Sequence, residues 1–294
     1  MNQAHTLEKM MRTPRNPVNK NAAGLPAASP RVISIASGKG GVGKTNLTAN
    51  LAYSLAKAGQ RVLVLDADLN LANIDVLLGL TPKYNLHHVF RGEKSLTEVM
   101  VEGPGGMLIL PASSGIMELS RLTEEQRLYF LSEMEDLGQQ VDLLLIDTAA
   151  GINENVVYFN LAAQERIILL TPEPTSLTDA YALIKVLSSK YGVKKFRVVV
   201  NMALSEKEAV GVFRKLTLVI DQFLDSLSLD YLGHIPYDDL LIKSVRAQRL
   251  VSELHPKSAA SKMFVGLAHR IAGENPEPAT DGNIKFFWQR LFER

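Results

Sequence analysis

Apolar residues along the chain fall into two alternating rhythms. Short unbroken runs cover 32–36, 61–65, 107–110, 141–146, 167–170, 197–200 and 231–235. Segments with helical spacing lie between them, at 43–58, 124–138, 154–163, 176–191, 206–226, 240–247 and 258–272. The runs are apolar throughout rather than alternating, which is the mark of strands covered by helices on both faces. Strands alternating with helices predict right-handed crossovers and an α/β fold with a doubly wound, mainly parallel sheet. No internal repeat at solenoid spacing interrupts the pattern.

Neither end of the chain follows this rhythm. Residues 1–30 read as a flexible extension, because Pro14, Pro17, Pro26 and Pro30 break any long helix. Residues 2–12 allow one short helix. Between Met1 and Arg31, Lys9, Arg12, Arg15, Lys20 and Arg31 stand against the single acid Glu8. Residues 31–273 form the folded domain, and 274–283, with Pro276, Pro278, Glu277 and Asp281, read as an exposed linker. Residues 284–294 make an amphipathic helix. At 100° per residue, Ile284, Phe287, Trp288, Leu291 and Phe292 share one face about 140° wide, with only Phe286 misplaced. Lys285, Arg290 and Arg294 against Glu293 make the polar side basic, and Trp288 is the chain's only tryptophan. An aromatic, basic helix on a tether fits an in-plane membrane anchor.

Composition narrows the chemistry. The 294 residues include 46% hydrophobic and 21% charged side chains, enough for a sizeable core and too apolar for global disorder. Lys and Arg total 32 against 31 acids, so the chain carries no general coat for nucleic acid. With no cysteine, disulfide scaffolds, cysteine-ligated zinc, iron–sulfur clusters and thiol catalysis are excluded. No apolar run approaches the ~20 residues that span a bilayer. The start lacks a signal-peptide stretch, which points to the cytoplasm. His87, His88 and His234 have no acidic or cysteine neighbours at ligand spacing and read as ordinary surface or packing residues.

The densest chemical signal follows the first run. Ser37-Gly38-Lys39-Gly40-Gly41-Val42-Gly43-Lys44-Thr45 links a strand to a helix and satisfies the P-loop pattern through Gly38, Gly43, Lys44 and Thr45. Glycines let backbone N–H groups converge on phosphate oxygens, and the helix N-terminus adds positive charge. Lys44 suits the β- and γ-phosphates, and the Thr45 hydroxyl suits Mg²⁺. Asp147 ends a strand of four apolar residues and is the matching magnesium-side acid. Asp66 and Asp68, two residues apart at another strand end, both suit the nucleotide side of the sheet. Lys39 is a second loop lysine. With Lys44 serving the phosphates, it has no task within one subunit.

These motifs resemble those of the MinD/ParA family of dimerising ATPases, P-loop NTPases of the SIMIBI type. Its deviant Walker A motif matches Lys39-Gly40-Gly41-Val42-Gly43-Lys44-Thr45, and further matches are Asp66-Ala67-Asp68, Asp147-Thr148-Ala149-Ala150-Gly151, Asn201 and Ile235-Pro236-Tyr237-Asp238. The resemblance covers about residues 31–272. It implies ATP with Mg²⁺ as the bound pair. ATP would be held by Gly38, Lys39, Gly40, Gly41, Val42, Gly43, Lys44, Thr45 and Asn46, with Asn201 on the adenine edge and Pro236, Tyr237 and Asp238 closing over the ring. Adenine also accords with the lack of an Asn-Lys-x-Asp guanine reader. The resemblance implies Mg²⁺ on Thr45, Asp66 and Asp147, water oriented by Asp68, and a γ-phosphate-sensing switch over 69–75. Lys39 would reach the ATP of the other subunit in a homodimer and act as a trans cation. The C-terminal helix resembles the membrane-targeting sequence of MinD-type ATPases.

Asn2-Gln3-Ala4-His5-Thr6-Leu7 resembles the N-terminal Asp-Gln-Ala-x-x-Leu-Arg element of the FlhG/FleN branch, with Gln3, Ala4 and Leu7 matching. Asn2 replaces the acid, and Glu8 stands in place of the basic residue. That branch implies a slow regulatory ATP hydrolase. It dimerises on ATP, binds an anionic membrane reversibly, and limits flagellar number through a flagellar master transcription activator and an FlhF-type GTPase. The competing readings are a MinD-like division-site ATPase and a ParA-like DNA-partition ATPase, the latter disfavoured by the balanced charge. A fourth class, relatives of nitrogenase iron protein, loses its cluster-bearing version to the missing cysteines.

Overall fold

The computed structural model describes residues 30–68, 73–111, 123–224 and 227–274. Its strands are β1 (Arg31–Ser37), β2 (Val62–Ala67), β3 (Val101–Glu102), β4 (Leu108–Pro111), β5 (Leu143–Ala150), β6 (Glu165–Leu170), β7 (Lys195–Ala203) and β8 (Ser228–Pro236). They make one sheet in the order β3-β4-β2-β5-β1-β6-β7-β8, parallel throughout except for β3 against β4. The helices are α1 (Lys44–Lys57), α2 (Ile74–Leu78), α3 (Leu86–Phe90), α4 (Leu96–Val99), α5 (Glu124–Gly138), α6 (Glu154–Ala162), α7 (Pro174–Tyr191), α8 (Glu206–Phe223), α9 (Asp239–Arg246), α10 (Val251–Leu254) and α11 (Ala259–Gly273).

Successive strand residues point to opposite faces, and both faces are covered, so the central strands are apolar on both faces apart from Ser34 and the polar residues at their carboxyl ends. Ile33, Ile35, Val64 and Leu145 pack on one side with Leu47, Leu51 and Leu55 of α1 and Phe264, Leu267 and Ile271 of α11. Their neighbours Val32, Leu63, Leu65, Leu144 and Ile146 pack on the other side with Phe90 of α3 and Phe130 and Met134 of α5. Further along that face, Ile168, Leu170, Val198 and Val200 meet Leu183 and Leu187 of α7 and Val212 and Leu216 of α8. The doubly wound, mainly parallel α/β architecture expected from the sequence is the one observed.

All seven apolar runs are strands, and all seven helical segments are helices, within a few residues at each end. Missing from the sequence reading are β3 and the short helices α2, α3, α4 and α10, of four or five residues each. Such pieces are too short to show a period. Tertiary contacts and local caps hold them instead: Ser95 and Glu98 form a capping box on α4, as Asn85 and His88 do on α3. The expected N-terminal extension, with Gln3, Ala4 and Leu7, lies outside the described residues. So do 69–72 of the expected switch, and the tail carrying Ile284, Phe287, Trp288, Leu291 and Phe292.

Parallel strands bring all their carboxyl ends to one rim, where ligands of open α/β sheets bind. The turns after β1, β5, β6, β7 and β8 lie there, with Asp66 and Asp68 at the end of β2. At the opposite end a polar cluster joins the first described strand to the last described helix. Glu165 accepts from Arg31 Nη2 at 2.7 Å and Arg197 Nη1 at 3.1 Å. Arg197 Nη2 also donates to Glu274 at 2.7 Å, and Arg31 Nη1 donates to the carbonyls of Ile271 and Glu274. Arg31 thus supplies donors to the carbonyl end of α11. Glu274, placed at the start of the linker by the sequence, is tied to the sheet.

Glu165 is the acid between two guanidinium groups with side chains only 13% exposed. Glu165→Ala should leave both short of a partner and lower stability by roughly 1–3 kcal/mol. Chemical denaturation without nucleotide measures this, and an unchanged midpoint would show that the cluster contributes nothing.

Candidate functional site

The turn from β1 into α1 needs its glycines for two separate reasons. Gly41 and Gly43 have φ of +77° and +95°, a region that side-chain-bearing residues seldom adopt. Gly38 is required by packing, since a Cβ there would stand 2.1 Å from the Asp179 carbonyl oxygen of α7. α1 opens at Gly43 with no side-chain cap and no acid in its first turn. Its first N–H groups therefore face outward with a cation-like end charge, the setting an anion needs. Lys44 Nζ donates to Ser37 Oγ at 3.0 Å, and Ser37 Oγ donates to Lys39 O at 2.7 Å, so Ser37 holds the lysine against the loop. Burial lowers the Lys44 pKa, against the opposing pull of Asp147 and Asp68.

The acids stand beside this loop in register. Asp147 of β5 pairs with Ile35 of β1 on one side and with Asp66 of β2 on the other. Both carboxylates are buried, at 1% and 3% exposure. Burial first, and the charge of Asp66 second, push Asp147 up to about 7, while Thr45, Lys44 and Thr48 pull it down. Burial pushes Asp66 up to about 6, against three backbone N–H donors, from Asp68, Asn73 and Ile74. Those N–H groups flank residues 69–72, so Asp66 ties together the two ends of the expected switch. Two adjacent carboxylates and the Thr45 hydroxyl are hard oxygen donors, and they fit a Mg²⁺ ion that completes its shell with phosphate and water. Among the described residues no group of three or more His, Cys, Asp or Glu side chains could hold a metal by itself.

The other expected residues divide. Asn46 lies in the first turn of α1, where its carbonyl accepts from Asn50 Nδ2. Gly40 is open to the rim. Asp68 is half-buried, with Asn73 Nδ2 at 3.4 Å. Asn201 is buried against the loop, donating from Nδ2 to Val42 O at 2.7 Å. Tyr237, next to Pro236, is 53% exposed. The Asp238 carboxylate is engaged elsewhere: Oδ1 accepts from Leu240 N at 2.9 Å and Oδ2 from Ala260 N at 3.0 Å, which caps α9 and ties it to α11.

Lys39 finds partners within its own subunit: its ammonium is held by Glu173 and by Thr175 Oγ1, the latter at 3.1 Å, in the turn that opens α7. No local pattern marks Glu173, which is 134 residues away. Thr48 was also missed: its hydroxyl donates to Asp147 at 3.2 Å. Its spacing three residues after Thr45 puts both hydroxyls on one helix face, a signal the sequence does carry.

Comparisons with known proteins agree with this geometry. A family model of the ParA group, described as the NUBPL iron-transfer P-loop NTPase, matches residues 29–272. The chain is 48% identical over 264 residues to the antiactivator FleN of Pseudomonas aeruginosa, covering 90% of this chain and 94% of that one. It is 34% identical over 295 residues to the flagellum site-determining protein YlxH of Helicobacter pylori, covering 99% and 98%. Its fold is similar to the septum site-determining protein MinD of Pyrococcus horikoshii, solved with Mg-ADP, at a TM-score of 0.63 and 26% identity over 82% of this chain and 96% of that one.

The raised Asp147 carboxyl makes a signed prediction. Its proton is held more tightly in the folded state, so its contribution to stability is complete below about pH 4 and is lost as pH rises through about 7. Without nucleotide or Mg²⁺, Asp147→Asn should therefore be more stable than the parent at pH 8, with the gap closing toward pH 4. Thermal unfolding across that range checks it, and a gap that stays constant with pH would contradict the assignment.

Proposed function

Because the chain belongs to the ParA/MinD family of P-loop NTPases, we propose that it is a slow, Mg²⁺-dependent ATPase switch that regulates flagellar number or placement. One observation carries the flagellar part: nearly half the residues are identical to those of an antiactivator over 90% of the chain. The YlxH likeness supports the same reading over almost the whole length. The Mg-ADP held by the P. horikoshii relative supports the nucleotide and the ion.

ATP with Mg²⁺ supplies the phosphoanhydride bond that is cleaved and the ion that screens its charge. The chain's own residues do the rest. The N–H groups of Gly40, Gly41, Val42, Gly43, Lys44 and Thr45 cradle the phosphates, and the Lys44 ammonium neutralises them. Thr45, Asp66 and Asp147 hold the ion. Asp68 orients the attacking water, and the Pro236–Tyr237 turn covers the base. Lys39 exchanges Glu173 and Thr175 for the partner subunit's nucleotide when two copies meet face to face, adding a cation where charge develops. Residues 284–294 bind the membrane weakly as a single copy and firmly as two on one dimer. Among the described residues no helix is long and apolar enough to cross a membrane. The proposed partners are a flagellar transcription activator and an FlhF-type GTPase, the latter through Gln3, Ala4 and Leu7.

Lys44→Ala should abolish ATP binding in calorimetry and, in cells, reproduce the excess or misplaced flagella of a deletion strain. Full complementation by that variant would overturn the switch reading. Lys39→Ala should bind ATP as a monomer yet lose ATP-driven dimerisation and ATP-stimulated sedimentation with anionic liposomes. Removing residues 284–294 should keep dimer and ATPase and lose the liposomes. Undiminished membrane binding without the tail would reject it as the anchor.

A further inference from the structure

Two residues other than glycine have a left-handed backbone among those described, Met202 at φ +59° and Gln248 at φ +53°. Gln248 has an ordinary reason. It follows the end of α9, where Arg249 N bonds back to Ser244 O at 3.0 Å and a left-handed residue closes the helix. Met202 closes no helix. It lies inside β7, between Asn201, which pairs with Ile235, and Ala203, which pairs with Pro236, and it is the extra residue at that step of the register. This is a bulge held in an unfavourable conformation by a half-exposed methionine, and bulges re-aim the side chains next to them.

The side chain it re-aims is Asn201, which is 7% exposed. Its Nδ2 donates to Val42 O across 159 positions of sequence. The fit is close, because a Cβ on Gly43 would stand 2.4 Å from that nitrogen. Val42 O and Gly43 N–H belong to one peptide unit. The described chain has no cis bonds, so this carbonyl and N–H point in opposite directions. Holding the carbonyl on the β7 side therefore aims the Gly43 N–H the other way.

The geometry points to Asn201 as a positioning residue of the phosphate loop: it braces the Val42–Gly43 peptide so that a loop amide is aimed before any phosphate arrives. This rests on the reading of residues 37–45 as a phosphate loop, and it gives Asn201 a task independent of the base. It also fixes the amide's orientation. With one Nδ2 hydrogen given to a carbonyl, Oδ1 faces away from the loop as an acceptor suited to an amino group on the base edge.

Triphosphate without a base separates the two tasks. Calorimetry with Mg²⁺ and tripolyphosphate, ATP or GTP would compare the parent with Asn201→Ala, Asn201→Asp and Lys44→Ala. Asn201→Ala should weaken tripolyphosphate about tenfold, the worth of one well-placed hydrogen bond. Asn201→Asp keeps the shape but turns an acceptor toward Val42 O, and should weaken it at least as much. Both should keep a cooperative thermal transition without ligand, and amide exchange at Gly43, read by NMR, should speed up. Tripolyphosphate affinity within twofold of the parent in Asn201→Ala and Asn201→Asp, with ATP alone weakened, would overturn the brace and leave Asn201 as a base reader. If Lys44→Ala binds tripolyphosphate as the parent does, the phosphate-loop reading itself fails, and the brace fails with it.

Discussion

Asp147 stands in one row of the sheet between Ile35 and Asp66, and the site depends on that register. Parallel pairing of β1, β5 and β2 leaves two carboxylates side by side in a place from which water is nearly excluded. Neither can be fully ionised there without an opposing charge. Lys44 offers part of it, and its own ammonium is weakened by the same burial. The result is a cluster of charges incomplete within the protein, which in the proposed function a divalent cation and a polyphosphate complete together. Shifted carboxyls at the carboxyl ends of parallel strands, next to a glycine-rich turn, are a strong physical sign of a functional site.

The loop beside them is held from three directions. Ser37 fixes the lysine from below, α7 presses on Gly38 through the Asp179 backbone, and Asn201 takes the Val42 carbonyl from β7. Each contact excludes a larger residue or fixes a peptide plane, so a turn rich in glycine is nonetheless well ordered. The same crowding explains why glycine is required at Gly38 even though its φ is unexceptional. Phosphate sites of this kind gain from amides aimed in advance, because no reorganisation is then needed on binding.

The opposite end of the sheet does a different job. Arg31 and Arg197, with Glu165 and Glu274, tie the first strand to the end of the last described helix. Both termini of the described fold therefore sit at the end away from the phosphate loop. A nucleotide-dependent change at the rim and a tail leaving from the base are separated by the length of the strands. In the proposed scheme, dimerisation joins them by bringing two tails together, and no relay through the core is required.

Local pattern alone determined the fold class, the strand and helix succession, the phosphate loop and its acids. Unbroken apolar runs report two covered faces, and Gly-x-x-x-x-Gly-Lys-Thr between a strand and a helix reports a cradle whose chemistry is local. Short elements stayed hidden because four or five residues carry no period, and α2, α3, α4 and α10 form only against the folded domain. The partners of Lys39 and Asn201 were also beyond reach, since Glu173 and Val42 lie 134 and 159 residues away and meet them only when the parallel strands align. Asp238 shows the limit most plainly. Its motif matched a base-covering turn, but its two oxygens cap one helix and fasten another. Sequence determines which groups a chain can offer, whereas packing decides which partner each one meets, because hydrogen bonds and desolvation act over a few ångströms of space regardless of distance along the chain.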